Sequence, residues 1–272
     1  MTRVGVVTIA HGRHEHLRRQ EESLRRGSRV PEVRVVVAMG DPELTAGPAT
    51  DVLALDADPR RLPLAAARNA GARRALDLGA DVLVFLDVDC LAGDDLVRGY
   101  ASAVAGDPAT IWSGPVTYLP DGLSEAELAR PERFDDPHPA RPAPPPGERS
   151  SSVDPALFWS LSFALSASAW TRAGGFCEAY AGYGGEDTDF GVQAVQRGLG
   201  LGWVGDARAY HQHHPVQAPP VGHLDDILRN GALFARRWGW WPMEGWLREF
   251  EDLGLVELRD GAWVRTRPPA LR

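Results

Sequence analysis

The amino-acid sequence predicts an α/β fold: a mixed, mostly parallel sheet flanked by helices. Short, nearly continuous apolar runs recur at 4–10 (VGVVTIA), 33–38 (VRVVVA), 52–55 (VLAL) and 82–86 (VLVFL). Such runs suit strands buried on both faces of a parallel sheet. Helical stretches alternate with them, as parallel connections require. The chain has 272 residues, 44% of them hydrophobic, enough to bury a substantial core without disulfides.

Taken in order, the run 4–10 is the first strand. His14 to Arg26 follows as a polar, Arg-rich helix with Leu17 and Leu24 seven residues apart. After the strands 33–38 and 52–55, Ala65 to Leu78 reads as an Ala-rich helix that turns Leu76 and its small residues inward and stops at Gly79. The strand 82–86 comes next, and 110–119 (TIWSGPVTYL) reads as another. Residues 131–147 hold Pro142, Pro144, Pro145 and Pro146, the texture of an irregular loop or flap. A strand at 158–167 (FWSLSFALSA), a helix from Glu186 to Arg197 and a helix over 222–238 complete the pattern. The tail carries Trp238, Trp240, Trp241 and Trp246, and no internal repeat occurs.

Composition excludes several classes. A net charge of −8, from 29 basic and 37 acidic residues, argues against a general nucleic-acid binder. Two cysteines, Cys90 and Cys177, exclude a disulfide-rich secreted scaffold and read as buried thiols in a reducing cytoplasm. No apolar run approaches the ~20 residues that span a bilayer, and the N-terminus lacks a signal-peptide pattern. The expected location is cytoplasmic, with any membrane contact peripheral.

Four clusters carry chemistry. Asp87-Val88-Asp89 directly follows the strand VLVFL. Residues i and i+2 of an extended segment project to one side, and open α/β sheets bind ligands beyond the carboxyl ends of their strands. Two carboxylates there form a hard-oxygen site for Mg²⁺ or Mn²⁺, which would bridge a diphosphate. A solvated turn with a helix cap is the bland alternative.

In Gly184-Gly185-Glu186-Asp187-Thr188-Asp189, glycines precede three acids in four positions at a helix start. Capping explains any one acid. Three together repel unless a cation or ligand offsets them, and a raised carboxyl pKa suits a general base. His211-Gln212-His213-His214-Pro215 has three imidazoles in four residues, with His211 and His213 on one side of an extended segment. Together with aspartates they favour Mn²⁺ or a similar borderline cation. Ala67-Arg68-Asn69-Ala70-Gly71 opens the Ala-rich helix, where an Arg at a helix N-terminus can hold an anion.

In this order, TIAHGRHEHLRRQEESL, LAAARNAG, VLVFLDVDC, AGGFCEAYAGYGGEDTDFGVQAVQRG and ARAYHQHHP resemble the inverting GT-A glycosyltransferases of family 2, with a galactosyltransferase-like C-terminal half. The resemblance covers about residues 3–215. It implies a catalytic domain over 1–215, with a nucleotide-binding half to about 110 and an acceptor half over 111–215; residues 216–272 become a helical extension packed on it.

By position, the resemblance makes Asp187 the general base, with Glu186 helping to hold the acceptor beside Tyr183, Gly184 and Gly185. Asp89 and His211 become metal ligands, with His213 the alternative imidazole and Asp87 contacting ribose or metal. Ala10, His11, Arg13, Asp41, Arg68, Asn69 and Val88 join the two aspartates in holding the nucleotide sugar. It further implies a UDP-sugar donor, a divalent cation (Mn²⁺ or Mg²⁺) and a glycan, lipid-linked or small-molecule acceptor.

Three positions depart from the family pattern. Tyr183 stands where a Trp is usual, Met39-Gly40-Asp41 replaces an Asp-Asn-like pair, and the clustered histidines leave the ligand to sequence context. The tail tryptophans either pack on the domain or form an acceptor or membrane-interface platform. A sugar-nucleotide nucleotidyltransferase and a non-catalytic glycan- or nucleotide-binding protein are the competing readings. The first loop lacks the Gly-rich phosphate cradle that the former needs, and no P-loop motif is present.

Overall fold

The computed structural model describes residues 2–152, 154–215 and 217–266. The N-terminal half runs β1 (Val4–Ala10), α1 (His14–Arg26), β2 (Val33–Met39), β3 (Asp51–Leu55), α2 (Leu64–Asp77) and β4 (Val82–Leu86). It continues through β5 (Cys90–Ala92), α3 (Leu96–Gly106), β6 (Thr110–Ser113), β7 (Val116–Tyr118), a one-turn α4 (Glu125–Leu128) and β8 (Arg149–Ser152). Then come β9 (Ser162–Ser166), α5 (Ala167–Ala173), α6 (Glu186–Gln196), β10 (Gly200–Val204) and β11 (Ala209–His211). The tail holds α7 (Leu224–Trp238), α8 (Glu244–Asp252), β12 (Val256–Arg259) and β13 (Ala262–Arg265).

Eight strands form one sheet in the order β3-β2-β1-β4-β9-β6-β10-β8. The first four are mutually parallel, while β9 runs antiparallel between β4 and β6. A second sheet, β5-β11-β7, stands beside the C-terminal end of β4. On one face, Val7, Val35 and Val37 pack against Ala65, Ala67, Ala72 and Ala75 of α2. A side chain at Gly71 would place its Cβ 2.4 Å from Val7 Cγ1, so small residues let α2 lie close on the sheet. Phe85, Phe163, Trp170, Phe176 and Phe190 continue this core beneath the C-terminal half.

Several expectations are corrected in detail. The run 52–55 is an edge strand of alternating burial, with Val52 exposed, because no strand covers its outer side. The segment 110–119 is two strands in two sheets. It breaks at Gly114-Pro115, where the chain passes so close to Ala207 that a Cβ on Gly114 would lie 1.8 Å from its carbonyl oxygen. The strand expected from 158 starts only at Ser162, and the tail is not all helix, since it ends in the β12–β13 hairpin. Cys90 is buried but Cys177 only partly so, and both are free thiols. Among the described residues no helix is long and apolar enough to cross a membrane.

Candidate functional site

The carboxyl end of β4 delivers Asp87, Val88 and Asp89 into a turn that β5 continues. His211 of β11 lies opposite Cys90 in an antiparallel pair, and the Gln212 amide donates to the Asp89 carbonyl at 2.6 Å. The pairing brings His211 Nε2 to 3.4 Å and His214 Nε2 to 3.2 Å from Asp89 Oδ2. Ligand atoms of Asp89, His211 and His214 all lie within 4.8 Å of one another. Two imidazoles and a carboxylate fit a borderline divalent cation.

Burial works against ionisation of Asp89, but hydrogen bonds and charge from the two histidines outweigh it and hold the carboxyl well below the usual range. Asp87 does not join this group, because its Oδ1 takes Arg68 Nη2 at 3.3 Å. Burial, with the Asp89 charge adding to it, raises its pKa. His213 turns away to Asp121, at 3.1 Å. The strand ends at His211, so the alternation that would have aligned His213 with it no longer applies.

The second end is the turn before α6. Gly182, Gly184 and Gly185 all have positive φ, a conformation glycine adopts without strain. At Gly182 a Cβ would lie 2.0 Å from an Asp226 oxygen of α7. Helix α7 templates this turn: Asp226 accepts the Tyr183 amide at 3.1 Å, and Asn230 Nδ2 donates to the carbonyls of Tyr183 and Gly184 at 3.1 and 2.9 Å.

The three acids that follow have three different neighbours. Glu186 is buried and receives Arg68 Nη1 at 2.9 Å. Asp189 is fully buried and accepts from Tyr180, Trp238 Nε1 and Arg237 Nε at 3.0, 2.7 and 2.8 Å. Asp187 has no cation within salt-bridge distance among the described residues; its Oδ1 accepts the Thr188 amide at 2.7 Å, and the Ser160 backbone also donates to it. Burial and the adjacent Glu186 charge push its pKa up to about 6.

Arg68 ties the two ends together. Its guanidinium lies over Phe176 and joins Asp87 to Glu186, and those charges raise its pKa against the effect of burial. These two bonds use two of the five Arg68 N–H groups, the side chain that the sequence aimed at a nucleotide. Asn69 points elsewhere, since consecutive helix residues face different directions. It clamps Phe176 through two hydrogen bonds of 2.9 and 2.8 Å and reaches Glu178 at 2.8 Å.

Near Asp89, Ala10 and Val88 pack with Leu17 and Val36. His11 Nδ1 meets the Met39 carbonyl at 2.7 Å, and Asp41 accepts the Gly12 amide at 2.8 Å beside His14 at 3.0 Å. Arg13 takes a left-handed conformation at the start of α1, where its charge reaches His16 and His211. Tyr183 stacks on His223 with centroids 4.5 Å apart and leans on Trp246 at 5.7 Å.

Sequence reasoning missed Gln20, which holds the turn from below. Its Nε2 donates to the Asp87 and Cys90 carbonyls at 2.6 and 3.0 Å, while its Oε1 receives Thr8 and buried Arg34 at 2.8 and 2.6 Å. A polar residue on the inward face of α1, in line with Leu17 and Leu24, was the available signal. His214 was seen within the histidine cluster but not chosen as a ligand, and Tyr118 and the α7 residues were missed. Tyr118 stacks on His211 at 4.7 Å.

Comparison with known proteins bears on the sequence relatives and the fold. Residues 155–215 match the family described as the N-terminal domain of galactosyltransferase. Validoxylamine A glucosyltransferase of Streptomyces hygroscopicus subsp. jinggangensis (strain 5008) is 33% identical over 192 residues, covering 64% of this chain and 44% of that protein. Its counterpart from subsp. limoneus is 30% identical over 192 residues, covering 64% and 41%. This chain therefore spans less than half the length of these relatives.

In structure it is similar to GalNAc-T7 crystallised with UDP, GalNAc and Mn²⁺, at TM-score 0.55 and 15% identity, over 79% of this chain and 44% of that one. It is also similar to residues 1–349 of S. aureus TarS, at TM-score 0.58 and 12% identity, over 85% of this chain and 65% of that one. The chain has the GT-A fold, and its relatives by sequence are glucosyltransferases.

Proposed function

We propose that this protein is an inverting glycosyltransferase of family 2. In this reading it moves a sugar from a nucleoside-diphosphate sugar, UDP-linked by preference, to an acceptor hydroxyl, with Asp187 as the general base. The observation that carries the reading is the difference among the three acids at the start of α6: Glu186 and Asp189 have arginine partners, whereas Asp187 has none among the described residues and burial pushes its pKa up to about 6. A base poised close to the working pH transfers protons most effectively.

Asp187 accepts the acceptor hydroxyl proton as that oxygen attacks the anomeric carbon, and displacement assisted by one base inverts the centre. Asp89, His211 and His214 would hold a divalent cation, which supplies charge neutralisation at the departing diphosphate. Arg68 keeps the two ends in register through Asp87 and Glu186. Tyr183, His223 and Trp246 offer stacked rings to the acceptor. The extension from 216 belongs to this side of the site, since α7 shapes the turn before Glu186.

The small-molecule acceptor in the relatives' names favours an acceptor of that class, and the UDP and Mn²⁺ named with GalNAc-T7 favour that donor and ion. The test is to incubate the protein with UDP-sugars, Mn²⁺ and candidate acceptors and to follow products by NMR. Free UDP with an inverted glycoside supports the reading. A retained anomeric configuration, or formation of UTP and sugar 1-phosphate when pyrophosphate is added in place of an acceptor, overturns it.

A further inference from the structure

Among the described residues three arginines are buried, and they differ in what they bond. Arg34 donates to Thr8 and Gln20, and Arg68 pairs with Asp87 and Glu186. Arg141, from the proline-rich segment, is 7% exposed, yet its Nε, Nη1 and Nη2 have no hydrogen-bond partner among the described residues. A buried guanidinium without partners is costly, because its hydration is lost and nothing replaces it.

The surroundings show where this charge sits. Its Cζ lies 5.3 Å from the Trp159 ring centroid. Trp159 contacts His138, which contacts Tyr118, which stacks on His211 of the cation end. The residue after Trp159, Ser160, bonds Asp187 through its backbone. The Arg141 charge is also felt by Tyr118 and Asp187, so it lies near both ends of the site, against an aromatic ring. The electrostatics agree: burial lowers the Arg141 pKa, whereas the equally enclosed Arg68, with two carboxylates, has its pKa raised.

We propose that Arg141, backed by Trp159, is an oxyanion-binding residue: its planar fork receives a phosphate or carboxylate group of a substrate, and the unliganded protein holds the charge enclosed until that group arrives. Guanidinium matches such groups with paired hydrogen bonds and keeps its charge when buried. Two sources share this chemistry, the diphosphate of the donor and an acidic group on the acceptor. The choice between them rests on the glycosyltransferase reading; the oxyanion site itself does not. The segment carrying Arg141 is held by the Thr117–Pro137 bridge, by the His138 amide on the Val116 carbonyl at 2.9 Å and by the Arg141 amide on the His138 carbonyl at 3.2 Å, so the guanidinium extends from an anchored backbone.

The test is calorimetric titration of wild type, Arg141→Met and Arg141→Lys with uridine, with UDP plus Mn²⁺, and with inorganic phosphate before and after saturation with UDP and Mn²⁺. Donor recognition predicts that Arg141→Met weakens UDP at least tenfold and leaves uridine unchanged. Acceptor recognition predicts unchanged UDP affinity and at least tenfold weaker phosphate binding to the UDP-loaded protein. Arg141→Lys, which keeps charge but not the fork, should fall between. Removal of an unpaired charge should also raise the melting temperature of Arg141→Met. Phosphate and UDP affinities within twofold of wild type in both variants overturn the proposal. Arg141-dependent phosphate binding by a protein that transfers no sugar would leave the oxyanion site standing and remove only the transferase reading.

Discussion

The acidic pair at the end of β4 and the acidic triplet at the start of α6 look alike in sequence, and the fold treats them in opposite ways. At 87–89 the strongly acidic group is Asp89, whose ionised form two neutralisable imidazoles favour. At 186–189 two acids are matched by the fixed charges of Arg68 and Arg237, and the one between them stays unpaired and weakly acidic. An imidazole can give up its proton and ligate an ion, but an arginine cannot. Neighbours, more than the carboxylates themselves, therefore separate the end proposed to hold a cation from the end proposed to accept a proton.

The comparison can be broken first at the proton-accepting end. Asp187→Asn is expected to lower kcat by roughly 10²–10⁴, the usual contribution of a general base, while the affinity for nucleotide sugar stays within about threefold. Steady-state kinetics with a separate binding titration checks this; equal losses in both would remove Asp187 from the role. At the cation end, Asp89→Ala and His214→Ala should each weaken Mn²⁺-dependent nucleotide binding by roughly 10–100-fold. His213→Ala should change it less than about twofold, since that ring faces Asp121. Thermal-shift titrations with and without Mn²⁺ read out all three.

The link between the ends is weaker in its effect on binding and larger in its effect on stability. Arg68→Met leaves Glu186 buried without a partner and should cost about 3–5 kcal/mol in urea unfolding. A loss under ~1 kcal/mol would show that Arg68 is not the clamp.

The smallest effect is in pH dependence. Asp187 must be ionised to accept a proton, so kcat/KM should fall about tenfold per pH unit below about 6. Its folded pKa is raised, so the folded chain holds this proton more tightly than the unfolded chain does. Asp187 should accordingly contribute a loss of stability as pH rises from about 4 to about 6, and the difference between wild type and Asp187→Asn across that range isolates it.

Much of the fold was legible because local patterns agree with it. The runs at 4–10, 33–38 and 82–86, the helix His14–Arg26 and the start of α6 at Glu186 depend on period and caps that neighbours reinforce. Position 52–55 misled because an apolar edge strand reads like a central one over four residues. Gly114-Pro115 was a visible break inside a run that otherwise read as one strand.

Within the site, residue types and order were readable, but partnership was not. Nothing local says that Arg68 serves Glu186, 118 residues away, or that Arg237 of the tail serves Asp189. Repulsion among three acids pointed toward a bound ion or ligand; two arginines supply the compensation for Glu186 and Asp189. His213 and His214 were equally readable, and only the end of β11 at His211 decides which one reaches Asp89.

Parallel alanine substitution at Asp187 and Asp189, with melting temperature and turnover measured on both proteins, tests the central claim most directly. Asp187→Ala should lose transfer almost entirely and melt within a few degrees of wild type. Asp189→Ala strands the Tyr180 and Trp238 donors, so it should lose about 1–3 kcal/mol of stability or more and retain most of its turnover per folded molecule. The reverse pattern, with Asp189 essential to transfer and Asp187 dispensable, would contradict the account.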